Sequence, residues 1–120
     1  MNRQSIVVET GNDLPDMYDE LVTGLLEALE GRAERIVLYG SVARGTASEE
    51  SDIDIAVLVH SSVDARTGDK LSDVVVDMNL KYDKVFSVID IDYAVYDRWK
   101  DVVPFYRNVE REGIVLWKAA

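Results

Sequence analysis

Two carboxylates in one short run are the residues in this sequence whose types and spacing are best suited to chemistry. Asp52 and Asp54 stand two positions apart among β-branched residues, so a strand would point both side chains to the same face. At about 5–6 Å, two such charges repel by roughly 3 kcal/mol at an effective dielectric near 20. Mg²⁺ reverses that cost, because it binds one or two carboxylates and completes its shell with water and substrate phosphates. The pair therefore predicts a Mg²⁺ site.

A turn of small residues precedes that pair and has the chemistry of a phosphate site. Gly40 allows a ligand to approach the backbone, the Ser41 hydroxyl can donate to a phosphate oxygen, and Arg44 adds a charge or supports the loop. A helical turn starting near Ala43 would direct free N–H groups toward an anion. The sequence contains neither a Walker A motif nor a dinucleotide-binding glycine motif. We therefore expect a nucleotide site of another kind.

Composition limits the classes of function. The 120 residues carry a formal charge of −10 and no cysteine, which disfavours a nucleic-acid platform and excludes disulfides and thiolate metal sites. The length predicts one domain over residues 1–120, with residues 1–12 a loosely ordered lead-in that includes a short extended piece at Ile6–Val8. No run of 18 apolar residues and no signal-peptide pattern is present. We expect a cytoplasmic protein without a membrane span.

The elements that must position these residues follow from periodicity and from helix-ending signals. Asp13 can cap a first helix that has Pro15 in its first turn and stops at Gly31. The remaining predicted segments, in chain order, are a strand at 35–39, a strand at 52–59, a helix at 64–82, a strand at 85–91, a short helical piece with Trp99, Val102 and Val103, a helix from Pro104 through Val109, and an apolar run at 114–117. The order predicts an α/β unit.

Taken together, these residues resemble the minimal nucleotidyltransferases of the polymerase-β-like superfamily. The resemblance rests on a glycine–serine turn followed by an Asp-x-Asp strand, and the matching residues are Gly40, Ser41, Arg44, Gly45, Ser51, Asp52 and Asp54. It implies a small mixed sheet with helices packed mainly on one face. It also implies Mg²⁺-dependent transfer of a nucleoside monophosphate from ATP, or another nucleoside triphosphate, to an acceptor hydroxyl. Small members of the family are often antitoxins that pair with a HEPN-domain protein, which some of them adenylylate.

The family pattern also calls for a third carboxylate on the later strand, as a catalytic and metal-binding residue. Asp90 and Asp92 share a face of that strand, and we favour Asp90 for this position. If the family pattern is aligned from the start of the strand, Ser87 instead occupies the position of the third carboxylate. If neither aspartate reaches the site, two-metal chemistry lacks its usual base, and nucleotide binding without efficient transfer becomes the alternative.

The acceptor must be recognised without a second domain, by a groove, by a homo-oligomer or by a separate protein. We therefore favour adenylyl transfer to a HEPN-type partner. One alternative is a catalytically weak protein that neutralises its partner by binding, and a less favoured one is nucleotidyl transfer to a small molecule such as an antibiotic. The aromatic residues of the C-terminal quarter are predicted to pack in the core, with a partner surface as the alternative.

Overall fold

A computed structural model describes residues 14–120 of the chain, and the side chains from Asp16 onward. The expected cap at Asp13, the lead-in at 1–12 and the extended piece at Ile6–Val8 lie outside the described residues. The elements follow one another as α1 (Leu14–Leu29), β1 (Ala33–Tyr39), α2 (Gly40–Arg44), β2 (Ile53–Val59), α3 (Ala65–Tyr82), β3 (Phe86–Asp92), α4 (Tyr93–Trp99), α5 (Pro104–Glu112) and β4 (Ile114–Lys118).

The four strands form one mixed sheet in the order β3-β2-β1-β4. β1 pairs antiparallel with both β2 and β4, and β2 pairs parallel with β3. The parallel pair requires a crossover, which α3 provides. The predicted fold class is confirmed: the chain is α/β with a small mixed sheet.

The main core lies on one face of the sheet, under α1 and α3. Alternate residues of β2 point into it, because strand side chains alternate between faces, and these are Ile53, Ile55, Val57 and Val59. The two helices lie against each other antiparallel, with ion pairs from Lys70 to Glu30 (3.0 Å) and from Lys81 to Glu20 (2.9 Å). The shorter helices α4 and α5 cover part of the other face around Tyr96 and Val109.

Two local features differ from the expected elements. The helical turn after β1 begins at Gly40 rather than near Ala43. The helix containing Trp99 ends there, and the N–H groups of Val102 and Val103 bond to the Trp99 carbonyl in a turn. Val103 has extended backbone angles, because a residue before proline is forced out of the helical region.

Within the described part of the chain, no helix combines the length and apolarity needed to cross a membrane.

Candidate active site

The turn between β1 and α2 brings backbone and carboxylate together. Gly40 has φ +78°, a left-handed conformation that L side chains rarely adopt. A Cβ at this position would also collide with the carboxylate oxygen Oδ2 of Asp54. Both the backbone angle and the position of the Asp54 carboxylate favour glycine here, and the close approach places the predicted phosphate turn directly beside the predicted metal-binding carboxylate.

The segment entering β2 is ordered by a serine pair. Ser48 N donates to Ser51 Oγ (3.0 Å), and Ser51 N donates to Ser48 O (3.1 Å). This turn precedes Asp52, which is exposed, and Asp54, which is half-buried. The predicted division of β2 is confirmed for the four residues Ile53, Ile55, Val57 and Val59, which face the main core. Asp54 lies on the opposite face, in register with Tyr39.

The electrostatics of Asp54 are those of a carboxylate near a like charge. Burial, and then the Asp52 carboxylate, raise the pKa of Asp54, whereas the Arg44 guanidinium lowers it. The Asp52 carboxylate is thus close enough to disfavour the charge of Asp54. Oxygen donors that repel one another are a donor set that suits Mg²⁺, so Asp52 and Asp54 fit this ion.

Arg44 connects the turn to the C-terminal helix. Its Nη1 lies 3.5 Å from Oε1 of Glu112 on α5, and both side chains are partly exposed. The Arg44 guanidinium also lowers the pKa of Asp54, so its charge acts on two carboxylates. The assigned contact to a nucleotide phosphate stays a prediction, and Glu112 is a competing partner for this cation.

The expected placement of Asp90 beside the pair is wrong. In the parallel pairing of β2 and β3, Ser87 is in register with Asp54, whereas Asp90 is in register with Val57. Residues in register share a face, so Asp90 points to the face covered by α3. Asp92 caps α4 and accepts a hydrogen bond from Val95 N (3.0 Å). Among residues 14–120, no group of three or more His, Cys, Asp or Glu side chains is placed to hold a metal ion.

A small cavity of about 170 Å³ adjoins the turn and contains residues that the sequence did not identify. It is lined by Tyr39, Gly40, Arg44, Phe105, Asn108, Val109 and Glu112. Tyr39 and Phe105 form an edge-on aromatic pair with centroids 5.5 Å apart, and burial followed by the Asp54 charge raises the pKa of Tyr39. The position of Tyr39 immediately before the turn was a usable signal. The α5 residues are more than 60 positions away, and nothing local indicates their proximity.

Comparison with known proteins identifies the family of this chain. Residues 19–115 match the family model described as a nucleotidyltransferase domain. Two relatives from Methanocaldococcus jannaschii are named as candidate protein adenylyltransferases. MJ0604 is 39% identical over 98 residues, covering 82% of this chain and 92% of its own. MJ0141 is 28% identical over 94 residues, covering 78% and 95%.

Solved structures show the same fold at lower sequence identity. A chain of a toxin–antitoxin complex with AMP-PNP matches with a TM-score of 0.58 and 22% identity, over 85% of this chain and 73% of its own. A chain of the toxin–antitoxin complex MntA–HepT matches with a TM-score of 0.51 and 19% identity, over 86% and 71%. The chain therefore belongs to the nucleotidyltransferase domain family, as a nucleotidyltransferase of the minimal type that its glycine–serine turn and aspartate pair indicated.

Proposed function

We propose that this protein transfers AMP from ATP to a hydroxyl group of a partner protein in a Mg²⁺-dependent reaction. The observation that carries the proposal is the close approach of the Gly40 backbone to the Asp54 carboxylate, because it puts the predicted phosphate turn beside the predicted metal-binding pair. The names of the two archaeal relatives support protein as the acceptor. The AMP-PNP in a complex of similar fold supports ATP as the donor.

The roles of the residues follow from their positions. Asp52 and Asp54 would hold Mg²⁺, which supplies positive charge to the triphosphate in a chain whose net charge is −10. Gly40 admits the triphosphate to the backbone, the Ser41 hydroxyl orients a phosphate oxygen, and Arg44 adds a cation. Orientation of the triphosphate is the main contribution of this chain to the rate.

The transfer step exchanges one phosphorus–oxygen bond for another. The acceptor oxygen attacks the α-phosphorus, the bond from that phosphorus to the oxygen bridging to the β-phosphate breaks, and pyrophosphate leaves. The acceptor proton passes to solvent, because Ser87 rather than a carboxylate is in register with Asp54. We expect slow transfer, since a positioned general base typically contributes about 10²–10⁴-fold to a rate.

Because Ser87, and not a carboxylate, is in register with Asp54, a second function is also favoured, that of a binding protein rather than an enzyme. A protein with two carboxylates at the site can bind Mg²⁺ and nucleotide yet transfer AMP poorly, and neutralise its partner by binding alone. In both functions we propose a HEPN-type toxin as the partner, since chains of toxin–antitoxin complexes share this fold. A homo-oligomer remains the sequence-based alternative.

Incubation with α-labelled ATP, Mg²⁺ and the protein encoded beside this chain tests the proposal. The variant with both Asp52→Asn and Asp54→Asn should lose transfer by about 10³-fold or more, because the metal supplies several kcal/mol of charge stabilisation. The matched control carries Glu49→Gln and Glu50→Gln, which remove two exposed carboxylates from the same loop, and should transfer normally. Nucleotide binding by the parent without label on any protein would establish the binding-only function instead.

A further inference from the structure

The outer strand β3 has one edge open to another chain. Within residues 14–120 its only strand neighbour is β2. The carbonyl of Val85 points toward β2 and accepts from Ile53 N (2.8 Å), whereas Phe86 N points outward and donates to the side-chain oxygen Oδ1 of Asn79 (2.8 Å) rather than to a strand. Because these directions alternate along a strand, the N–H groups of Val88 and Asp90 also point outward. They are available to pair with an added strand.

An open groove of about 510 Å³ runs between α3 and this edge. Its lining is mostly apolar and consists of Gly68, Leu71, Ser72, Val75, Val76, Phe86, Val88 and Asp90. Leu80, Val76 and Val85 beside it are among the large apolar side chains that the protein exposes, at 79%, 53% and 55%. An apolar groove next to an open strand edge is the arrangement that recognises extended peptides by strand addition.

The charges around this groove select a basic ligand. Asp73 and Asp77 are exposed one turn apart on α3, adjacent to the groove residues Ser72 and Val76, and Asp90 lies within its lining. A second copy of this chain would bring another net charge of −10 to an acidic rim, which like-charge repulsion disfavours. A segment with lysine or arginine beside apolar residues is complementary to the groove.

The strand register connects this edge to the active site. Ser87 is in register with Asp54, so a residue opposite Ser87 on an added strand would share the face of Asp54. Two strand spacings would separate that residue from Asp54, which is about 10 Å between Cα atoms. Ser87 stands between these two positions and has a small side chain, so it would hinder a serine, threonine or tyrosine hydroxyl less than a larger residue would.

We propose that the acceptor protein presents its hydroxyl on an extended, basic segment that pairs with β3 as a fifth strand. Alternate apolar residues of the segment fill the α3–β3 groove, and the hydroxyl residue faces the nucleotide on the opposite side of the sheet. The transfer step is the one given above, so this assignment of the acceptor rests on the proposed function. Docking of the segment itself requires no ATP.

A synthetic peptide tests the docking directly. The probe has nine residues: a lysine at each end, and valines alternating with threonines around a central tyrosine. Hydrogen exchange should show new protection of the Val88 and Asp90 amides when the peptide is added, because strand addition places those N–H groups in hydrogen bonds. The same peptide with N-methyl groups on alternate amides is the control and should give no protection. No protection at millimolar peptide would overturn the proposal.

Two variants of the protein locate the binding mode. Val88→Pro removes an outward N–H without removing a bond to β2, and edge strands tolerate proline at such positions; peptide affinity should fall about tenfold relative to Val88→Ala. Asp77→Lys on the rim should weaken binding by about threefold to fivefold at low salt. Glu27→Lys, at an exposed site on α1, is its control. Equal affinities of Val88→Pro and Val88→Ala, together with equal affinities of Asp77→Lys and Glu27→Lys, would contradict the proposal. If Val88→Pro does not fold, the exposed-site pair Asp77→Lys and Glu27→Lys still tests binding at the groove.

The outcomes separate this proposal from the proposed function. Binding of the peptide with amide protection, but no label transferred to any protein or peptide, leaves the docking site standing and removes the enzyme assignment. Transfer to the neighbour-encoded protein that is equal in Val88→Pro and Val88→Ala leaves the enzyme standing and removes strand addition. Dimerisation of the peptide-free protein in light scattering, with no 1:1 complex when the peptide is added, would instead assign the edge to a second copy.

Discussion

The two faces of the sheet differ in how completely they are covered. Among the residues that the structure describes, 19 buried ones form one apolar cluster on the face under α1 and α3, and this cluster extends along all of β2. On the other face, six of the described residues form a smaller buried cluster around Tyr96 and Val109, and Asp54 at the end of that face is only half-buried. A half-buried carboxylate is tolerated where helices do not cover the sheet. The covered face supplies the stability that the open face lacks, and the open face holds the chemistry.

Truncation in the covered face should have the largest effect on stability. Leu25 on α1 is fully buried, and Leu25→Ala removes apolar contacts and leaves a cavity, so we expect a loss of about 3 kcal/mol in the free energy of unfolding. Leu80→Ala is the matched control, because Leu80 is a helical leucine that is 79% exposed, and it should change stability by less than about 0.5 kcal/mol. Denaturant unfolding measures both. Nucleotide binding by folded Leu25→Ala should be unchanged; a large loss there would show that the two faces are not separable.

An added methyl group at the open face should have a smaller effect on stability but a direct effect on the site. Gly40 and Gly31 both have positive φ, at +78° and +84°, so alanine at either position costs about 1–2 kcal/mol of strain. Only at Gly40 would the new Cβ meet the Asp54 carboxylate, whereas nothing lies within 4 Å of a Cβ at Gly31. We expect Gly40→Ala to reduce Mg²⁺-ATP affinity and Gly31→Ala to preserve it, as measured by calorimetric titration. Equal affinities would contradict the role of this close approach.

The assignment of the β2 side chains to the two faces could be predicted, because the pattern that specifies it lies in adjacent residues. Ile53 and Ile55 alternate with Asp52 and Asp54, and a period of two specifies both the strand and its faces. β3 gives no such signal, since Val88 and Ile89 are both apolar and face opposite sides. Its placement depends on the register with β2, which is set by the crossover through α3. A pattern within β3 alone could not show that Ser87, and not Asp90, would stand opposite Asp54.

Contacts between distant parts of the chain were also beyond the sequence. The ion pair of Arg44 with Glu112 joins α2 to α5. The sequence around either residue does not indicate that the other lies close to it. The α2 helix has only five residues, which is too short for a periodic pattern to define. By contrast, the starts of α3 and α5 could be predicted, because a capping aspartate and a proline mark helix starts locally. The end of α5 could not: the helix continues to Glu112, beyond the predicted end at Val109.

We expect the smallest effects in the pH dependence of stability. Two aspartates, one associated with each face, should contribute to it with opposite signs. Asp64 caps α3, the helix that covers the closed face, and its hydrogen bond from Thr67 N (2.8 Å) lowers its pKa. Its contribution to stability is therefore present above the pKa of the unfolded chain and is lost as the pH falls through the folded pKa. Burial and Asp52 raise the pKa of Asp54, so its charge destabilises the folded state above that raised pKa, and this cost disappears as the pH falls below the unfolded value.

Thermal unfolding of metal-free protein between pH 3 and pH 8 should resolve the two signs. At pH 7 Asp64→Ala should lower Tm by a few degrees because the cap is lost, and its deficit should shrink as the pH falls. Asp54→Asn should raise Tm at pH 7, and its gain should shrink over the same direction of pH change. Asp73→Ala, at an exposed position of α3 that caps nothing, is the control and should show neither trend. A gain for Asp54→Asn that persisted unchanged to pH 3 would mean that lost charge repulsion is not its cause, and the electrostatic contrast between the two faces would then fail.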